Sequence, residues 1–184
     1  MMISLPSIQA LDQSLFIALN HTNHPFADLF FYWVTDRVFW MPLYVVLFFF
    51  IKKNRGWPGV LVFSVALVIS DQCSASLLKP FFARYRPCYD DQLLSIHSIH
   101  LIGKHIGSYG FPSSHASNTF AFATLFCKVF HTHYTHTYLF FIWSTIISYG
   151  RIYGGMHYPL DVIVGALLGI AIGLLAFKAI RVRR

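Results

Sequence analysis

The sequence predicts an all-α polytopic membrane bundle of about five transmembrane helices, with six possible, plus an N-terminal interfacial amphipathic helix. Three observations carry this prediction. Hydrophobic residues make up 56% of the chain and charged residues 11%, against roughly 25% charged in a soluble domain. The apolar residues fall in stretches that approach the length needed to cross a bilayer. The cations gather at the ends of those stretches and not in a basic stripe interleaved with aromatics, so the formal charge of +7 points to membrane lipids and to no nucleic acid.

Residues 7–20 place Ile8, Leu11, Leu15, Phe16, Ala18 and Leu19 at helical spacing with polar residues between them, the pattern of a helix lying in an interface. The N-terminal residues carry no basic leader, and Asp12 and Gln13 break their apolar content, which argues against a cleaved signal peptide. The apolar stretch 26–51 is interrupted by Asp36 and Arg37; its clean part, 38–51, is short and is expected to recruit part of the upstream segment. Further spans are predicted at 57–78, 115–130, 138–149 and 159–180. A spanning helix needs roughly 20 residues, so the middle two must borrow from their flanks. The whole of 1–184 reads as one membrane domain, with 1–25 its interfacial helix and 57–180 the part that carries the chemistry.

Lys52, Lys53 and Arg55 share one side of this arrangement with Lys128 and with Lys178, Arg181, Arg183 and Arg184. An excess of Lys and Arg marks the cytoplasmic face. Alternation of the spans then delivers three polar runs, 79–87, 112–115 and 151–161, to the opposite, extracytoplasmic face. The loop from Cys88 to Phe111, with Asp90, Asp91, Lys104 and three histidines, is expected to be a flexible segment beside them.

In the first run Lys79 and Arg86 are seven residues apart. On a helix both would project from one face, about 10 Å apart along the axis, and both could meet one phosphate. Arg84 falls on another face and reads as a headgroup contact. Taken alone, the run serves equally well as a basic flank that anchors a helix end by snorkelling. In the second run Pro112, Ser113 and Ser114 precede an apolar helix whose first N–H groups lack carbonyl partners, which makes an anion site with His115 beside it. A capped helix with an interfacial histidine is the plainer reading. The third run is the most specific. His157 and Asp161 are four apart, so the carboxylate can hold one ring N–H and leave the other nitrogen free to attack. The Gly154-Gly155 turn can return Arg151 to the same place.

These residues resemble the type-2 phosphatidic acid phosphatase superfamily, whose pattern is Lys, six residues, Arg-Pro; then Pro-Ser-Gly-His; then Ser-Arg, five residues, His, three residues, Asp. Lys79 and Arg86-Pro87, Pro112 to His115, and Arg151, His157 and Asp161 match it in order across residues 57–180. Ser114 stands where the family usually has Gly, and Gly150 where it usually has Ser. The resemblance implies that His157, oriented by Asp161, attacks phosphorus while His115 protonates the departing oxygen. It also implies that Lys79, Arg86, Arg151, Ser113, Ser114 and the helix N–H groups hold the phosphoryl oxygens. No metal and no cofactor is required by that scheme, and the partner is a lipid phosphate: phosphatidic acid, phosphatidylglycerol phosphate, an isoprenyl diphosphate and the phosphates of lipid A all stay open, with an isoprenyl diphosphate or phosphatidylglycerol phosphate favoured by family analogy. A bacterial inner membrane is the expected location.

Two other readings remain open at the level of sequence. A haloperoxidase of the same superfamily would be soluble, which the apolar spans oppose. An anion-binding protein or transporter would use the cations but would not need the His157 and Asp161 pair. His131, His133 and His136 lie in one loop without a carboxylate or Cys beside them and read as solvated. Asp71 falls inside a span and reads as a hydrogen-bonded packing residue or a functional acid. Cysteines 73, 88 and 127 suggest no disulfide framework.

Overall fold

A computed structural model describes residues 5–21, 24–103 and 107–181. Lys104, His105, Arg183 and Arg184 lie outside the described residues. The described part is helical apart from loops and one isolated antiparallel bridge between Tyr85 and Tyr109. The helices are α1 Leu5–Asn20, α2 Pro25–Val34, α3 Met41–Asp71, α4 Lys79–Phe82, α5 Asp91–Ile96, α6 Ser114–Phe130, α7 Leu139–Tyr153 and α8 Pro159–Arg181. Met41–Phe82 and Pro159–Ala179 are long and apolar enough to cross a membrane. The shorter α6 packs against both, and α7 packs against α6 and α2.

The long α3 is two arms. Gly56 takes φ 65°, ψ −168° and breaks the helix just ahead of Trp57-Pro58, where Pro cannot supply the N–H that would continue it. Leu47 and Ile51 of the first arm share a buried cluster with Phe63 and Ala66 of the second. The arms therefore fold against each other as an antiparallel hairpin, with Lys52, Lys53 and Arg55 at its tip. The segment upstream of the first arm is not recruited into it. It forms α2, which ends at Val34; the Asp36 carboxylate accepts from the Val38 N–H at 2.9 Å and the Trp40 indole donates to the Val34 carbonyl at 2.7 Å, so the chain turns before α3 begins.

The second arm runs into seven residues of wider, π-type turn, Gln72–Leu78, before α4. The Ser74 hydroxyl donates to the Ser70 carbonyl at 2.8 Å inside this stretch, a competition with the backbone that loosens helices. A π turn rotates every later side chain about the axis, and here it presents Lys79 to α6. The helix then stops at Phe82 because Ala83 is left-handed, φ 46°. Lys79 and Arg86 therefore do not share a helical face, contrary to the sequence expectation; Arg86 follows in extended chain, its N–H on the Ser108 carbonyl at 2.9 Å.

Helix α8 lies along α6 through Gly165, Gly169 and Gly173. Four-residue spacing places them on one face, and small residues let helix backbones approach in a membrane. A Cβ at Gly169 would sit 2.2 Å from the Ser117 carbonyl oxygen, and one at Gly165 2.5 Å from that of Ser113. This contact also brings the Ser113 N–H to the Asp161 carbonyl at 2.9 Å, so it sets the register of two of the polar runs. Gly169→Leu should separate the helices and lower stability by about 3 kcal/mol. Thermal unfolding in detergent, followed by the loss of monodisperse protein, checks this.

Helix α1 turns Asp12, Phe16 and Asn20 inward, all three buried, and leaves Ile8, Leu11 and Leu15 exposed. Its apolar side thus faces the membrane and its polar residues face the protein. Asn20 donates to the Tyr153 carbonyl at 2.7 Å, and Phe16 packs edge-on against Tyr158 with centroids 5.4 Å apart.

Candidate active site

All three polar runs meet at one end of the bundle, and the opposite end carries the Lys52, Lys53, Arg55, Lys128 and Lys178 cations. His157 and Asp161 are the most enclosed pair, at 1% and 0% exposed. The Asp161 side chain is held from two sides. Its Oδ1 accepts from Arg84 at 2.7 Å; its Oδ2 accepts from the Tyr158 N–H at 3.0 Å and lies 3.4 Å from His157 Nδ1. On the far side of the ring, Arg86 Nη1 is 3.1 Å from Nε2. A guanidinium has no acceptor, so Nε2 receives this bond and the proton sits on Nδ1, toward the carboxylate. Burial first, then the charges of Arg86, Arg151 and Lys79, hold this imidazole well below its ordinary pKa. His157 is therefore a neutral ring whose free lone pair points among cations.

Those cations arrive separately. Arg86 is buried and clamped, with Nε on the Gly107 carbonyl at 2.9 Å and Nη1 on that of Met156 at 3.1 Å. Lys79 donates to Ser114 Oγ at 2.9 Å. The Arg151 carbonyl accepts from Met156 and His157 across the turn that Gly155 makes at φ 74°, while its side-chain Nε is buried without a partner among the described residues. Ser113 occupies the cap position of α6 but its hydroxyl makes no cap bond, and Oγ too is buried without a partner there. His115, in the first turn of α6, is close enough for the charges of Arg151, His157 and Lys79 to act on it. Every site residue expected from the sequence is thus in this neighbourhood, with Ser113 Oγ and Arg151 Nε lacking partners among the described residues.

The two departures from the family pattern have local reasons. A Cβ at Gly150 would lie 2.6 Å from Thr35 Cγ2 and 2.8 Å from Phe31 Cδ1, so a serine there would collide with α2. Ser114 supplies a hydroxyl that a glycine would lack, and spends it on Lys79.

Several neighbours were not legible beforehand. Arg84 does not face headgroups: it joins Asp161 to Asp12 on α1, the second contact at 2.6 Å, and lies 4.3 Å from the centroid of the Tyr158 ring. Arg37 is exposed at the start of the hairpin, and its charge reaches His115 and Arg151. The described parts of the 88–111 segment, 88–103 and 107–111, are tied to the site by hydrogen bonds. Asp90 accepts from Tyr158 Oη at 2.7 Å and from the Leu93 N–H at 3.2 Å, and Gly110 donates to the Arg84 carbonyl at 2.8 Å. A Cβ at Gly110 would meet Asp161 Oδ2 at 3.0 Å, so a larger residue there would crowd the pair. Asp71 takes the Asn118 amide at 3.0 Å, the packing role. Among the described residues no three His, Cys, Asp or Glu side chains converge as a metal site would require.

Residues 57–184 match the PAP2 superfamily. Over 163 residues, 86% of this chain and 72% of the relative, the sequence is 31% identical to a lipid A 4'-phosphatase of Bacteroides thetaiotaomicron. The crystal structure of Aquifex aeolicus LpxE superposes with a TM-score of 0.73 at 31% identity, covering 91% of this chain and 95% of that one. A transmembrane PAP2-type phosphatidylglycerolphosphate phosphatase from Bacillus subtilis shares the fold, with a TM-score of 0.75 over 96% of this chain and 87% of that one at 21% identity. The chain belongs to the PAP2 superfamily, as an integral-membrane phosphatase of lipid phosphates.

Proposed function

We propose that the protein removes a phosphate from a glycolipid of the lipid A class at the extracytoplasmic face of a bacterial inner membrane, with His157 as nucleophile. The observation that carries the mechanism is the lone pair of His157 Nε2, directed at Arg86 while Nδ1 faces Asp161. A phosphoryl group entering here displaces Arg86 from the ring and takes its donors. Nε2 then bonds to phosphorus as the bond from phosphorus to the lipid oxygen breaks, and His115 gives that oxygen a proton. In the second step water attacks the phosphohistidine, His115 takes a proton from that water, the bond from Nε2 to phosphorus breaks, inorganic phosphate leaves and His157 returns neutral. Lys79, Arg86, Arg151, Ser113, Ser114 and the α6 N–H groups offset the charge on the three equatorial oxygens. They supply the positive charge that the reaction needs from fixed side chains.

The choice of lipid over a soluble ester rests on the site's position at the end of a membrane bundle whose outer surface is apolar. The 31% identity to a lipid A 4'-phosphatase turns the preference from isoprenyl or glycerol phosphates toward a glycolipid phosphate. Phosphate release from a panel of lipid phosphates in detergent with excess chelator tests this. Release should persist undiminished in chelator and be fastest with the glycolipid. Chelator-sensitive release would overturn the scheme of fixed side chains.

A further inference from the structure

The carboxylate that orients His157 is itself paired with a cation, and this pairing works against the reaction. As the ring gives its lone pair to phosphorus it gains positive charge, and it does so among Arg86, Arg151 and Lys79, whose charges already act on it. A carboxylate on the other ring nitrogen offsets that gain, as the acid of a catalytic triad does. Yet Arg84 Nη1 lies 2.7 Å from Asp161 Oδ1, and a guanidinium carries its charge permanently. With Arg84 as its sole partner, Asp161 would present the ring with a neutral pair.

Helix α1 supplies the missing charge. Asp12 is buried, 5% exposed, and its Oδ2 meets Arg84 Nη2 at 2.6 Å. The guanidinium therefore forks between two carboxylates, and Asp12, Arg84 and Asp161 together carry one net negative charge. Asp12 Oδ1 accepts from the Leu160 N–H at 2.8 Å, one residue before Asp161, so the same side chain grips the start of α8. The fork is held in place from behind. Arg84 lies 4.3 Å from the centroid of the Tyr158 ring, whose hydroxyl donates to Asp90 at 2.7 Å and whose edge packs on Phe16 of α1.

Both oxygens of Asp12 are thus occupied by Arg84 and Leu160, and its path to the ring runs through Arg84 and Asp161. Its helix lies outside the 57–180 stretch that carries the phosphatase motifs. We propose that Asp12 is a positioning residue for phosphoryl transfer: by sharing Arg84 it leaves Asp161 the negative charge that His157 needs as it attacks. This deepens, and rests on, the reading of His157 as the nucleophile of a lipid phosphatase. A role for Asp12 as a mere fastener of α1 predicts different kinetics.

The test measures kcat and KM of purified, monodisperse full-length protein in mixed micelles with a lipid A that carries a 4'-phosphate. Asp12→Asn removes the charge; kcat should fall on the order of 10-fold while KM stays within about 2-fold, because no phosphate contact is lost. Asp12→Asn/Arg84→Gln removes the cation as well and restores one negative charge beside the ring. The two amides offer the acceptor that Leu160 needs and the donor that Asp161 needs, so kcat should return to within about 3-fold of wild type. Asn20→Ala cuts the bonds from α1 to the Tyr153 and His100 carbonyls; it should lower the unfolding temperature and keep kcat.

A wild-type kcat in Asp12→Asn overturns the proposal. So does a double variant no faster than Asp12→Asn, since two mechanical losses would accumulate, and so does an Asn20→Ala that loses as much kcat as Asp12→Asn. If Asp12→Asn alone yields no folded protein, the double variant is read against wild type, and a loss beyond about 3-fold overturns the proposal. Phosphate release that His157→Gln abolishes and Asp12→Asn leaves untouched removes this inference alone. If folded wild type releases no phosphate from any lipid, the phosphatase reading fails and this inference with it.

Discussion

Phosphate release should fall by at least about 10⁴-fold in His157→Gln, the size of loss seen when a nucleophile that works as one unit with its partners is removed. Gln is chosen because its amide can still face Asp161 and Arg86, so the helices that meet here keep their contacts and folding is expected to survive. The ring's protonation gives an independent measure. Because burial and three cations hold His157 well below the ordinary histidine value, it should remain neutral at about pH 6, where a solvated imidazole with a pKa of about 6.5 is mostly charged. Carbon NMR of labelled histidine in the folded protein reads this directly. The sign for stability follows: below about pH 6.5 the unfolded chain binds a proton at this position and the folded chain does not, so stability declines as the pH falls through that value. A ring that titrates normally would remove the argument that Nε2 is a ready nucleophile.

Hydropathy was sufficient to find the helices of the bundle, since the apolar stretches and their charged ends are local properties. It also divided the hairpin correctly near Gly56, where Pro58 and three cations interrupt the pattern. Motif spacing found the residues that the fold brings together, because in each run the side chains are close in sequence. It failed where partners lie far apart. Arg84 and Asp161 are separated by 77 residues, and nothing in the spacing of either announces the other. The left-handed Ala83 also could not be read, since alanine ordinarily favours the helix. The loop after Cys88 looked mobile from its polar composition, yet Asp90 and Gly110 tie it to Tyr158 and Arg84. Gly150 looked like a lost phosphate ligand and is instead the space that α2 occupies.

Asp161→Asn is expected to lower kcat by about 10³- to 10⁴-fold with folding largely retained. The reason lies in what surrounds the carboxylate: Arg84, the Tyr158 N–H and the His157 ring all present donors to it. An amide has one oxygen and one NH₂ group. If the oxygen keeps Arg84, the NH₂ faces His157 Nδ1, which must then accept; the proton moves to Nε2 and the lone pair that attacks phosphorus is gone. If the oxygen faces the ring, the NH₂ is set against a guanidinium. Folding is spared because Arg84 keeps Asp12 at 2.6 Å. Arg84→Met separates the two roles of this network. It leaves the Asp161 charge buried without its cation and frees α1, and breaking a buried pair in this way costs about 3–5 kcal/mol. Its main effect should therefore appear in thermal unfolding, with a smaller loss of kcat in the protein that remains folded. A variant at Asp161 that loses stability but keeps turnover would show that the carboxylate serves the scaffold and not the ring, and one at Arg84 that keeps stability but loses turnover would show that the guanidinium serves the ring.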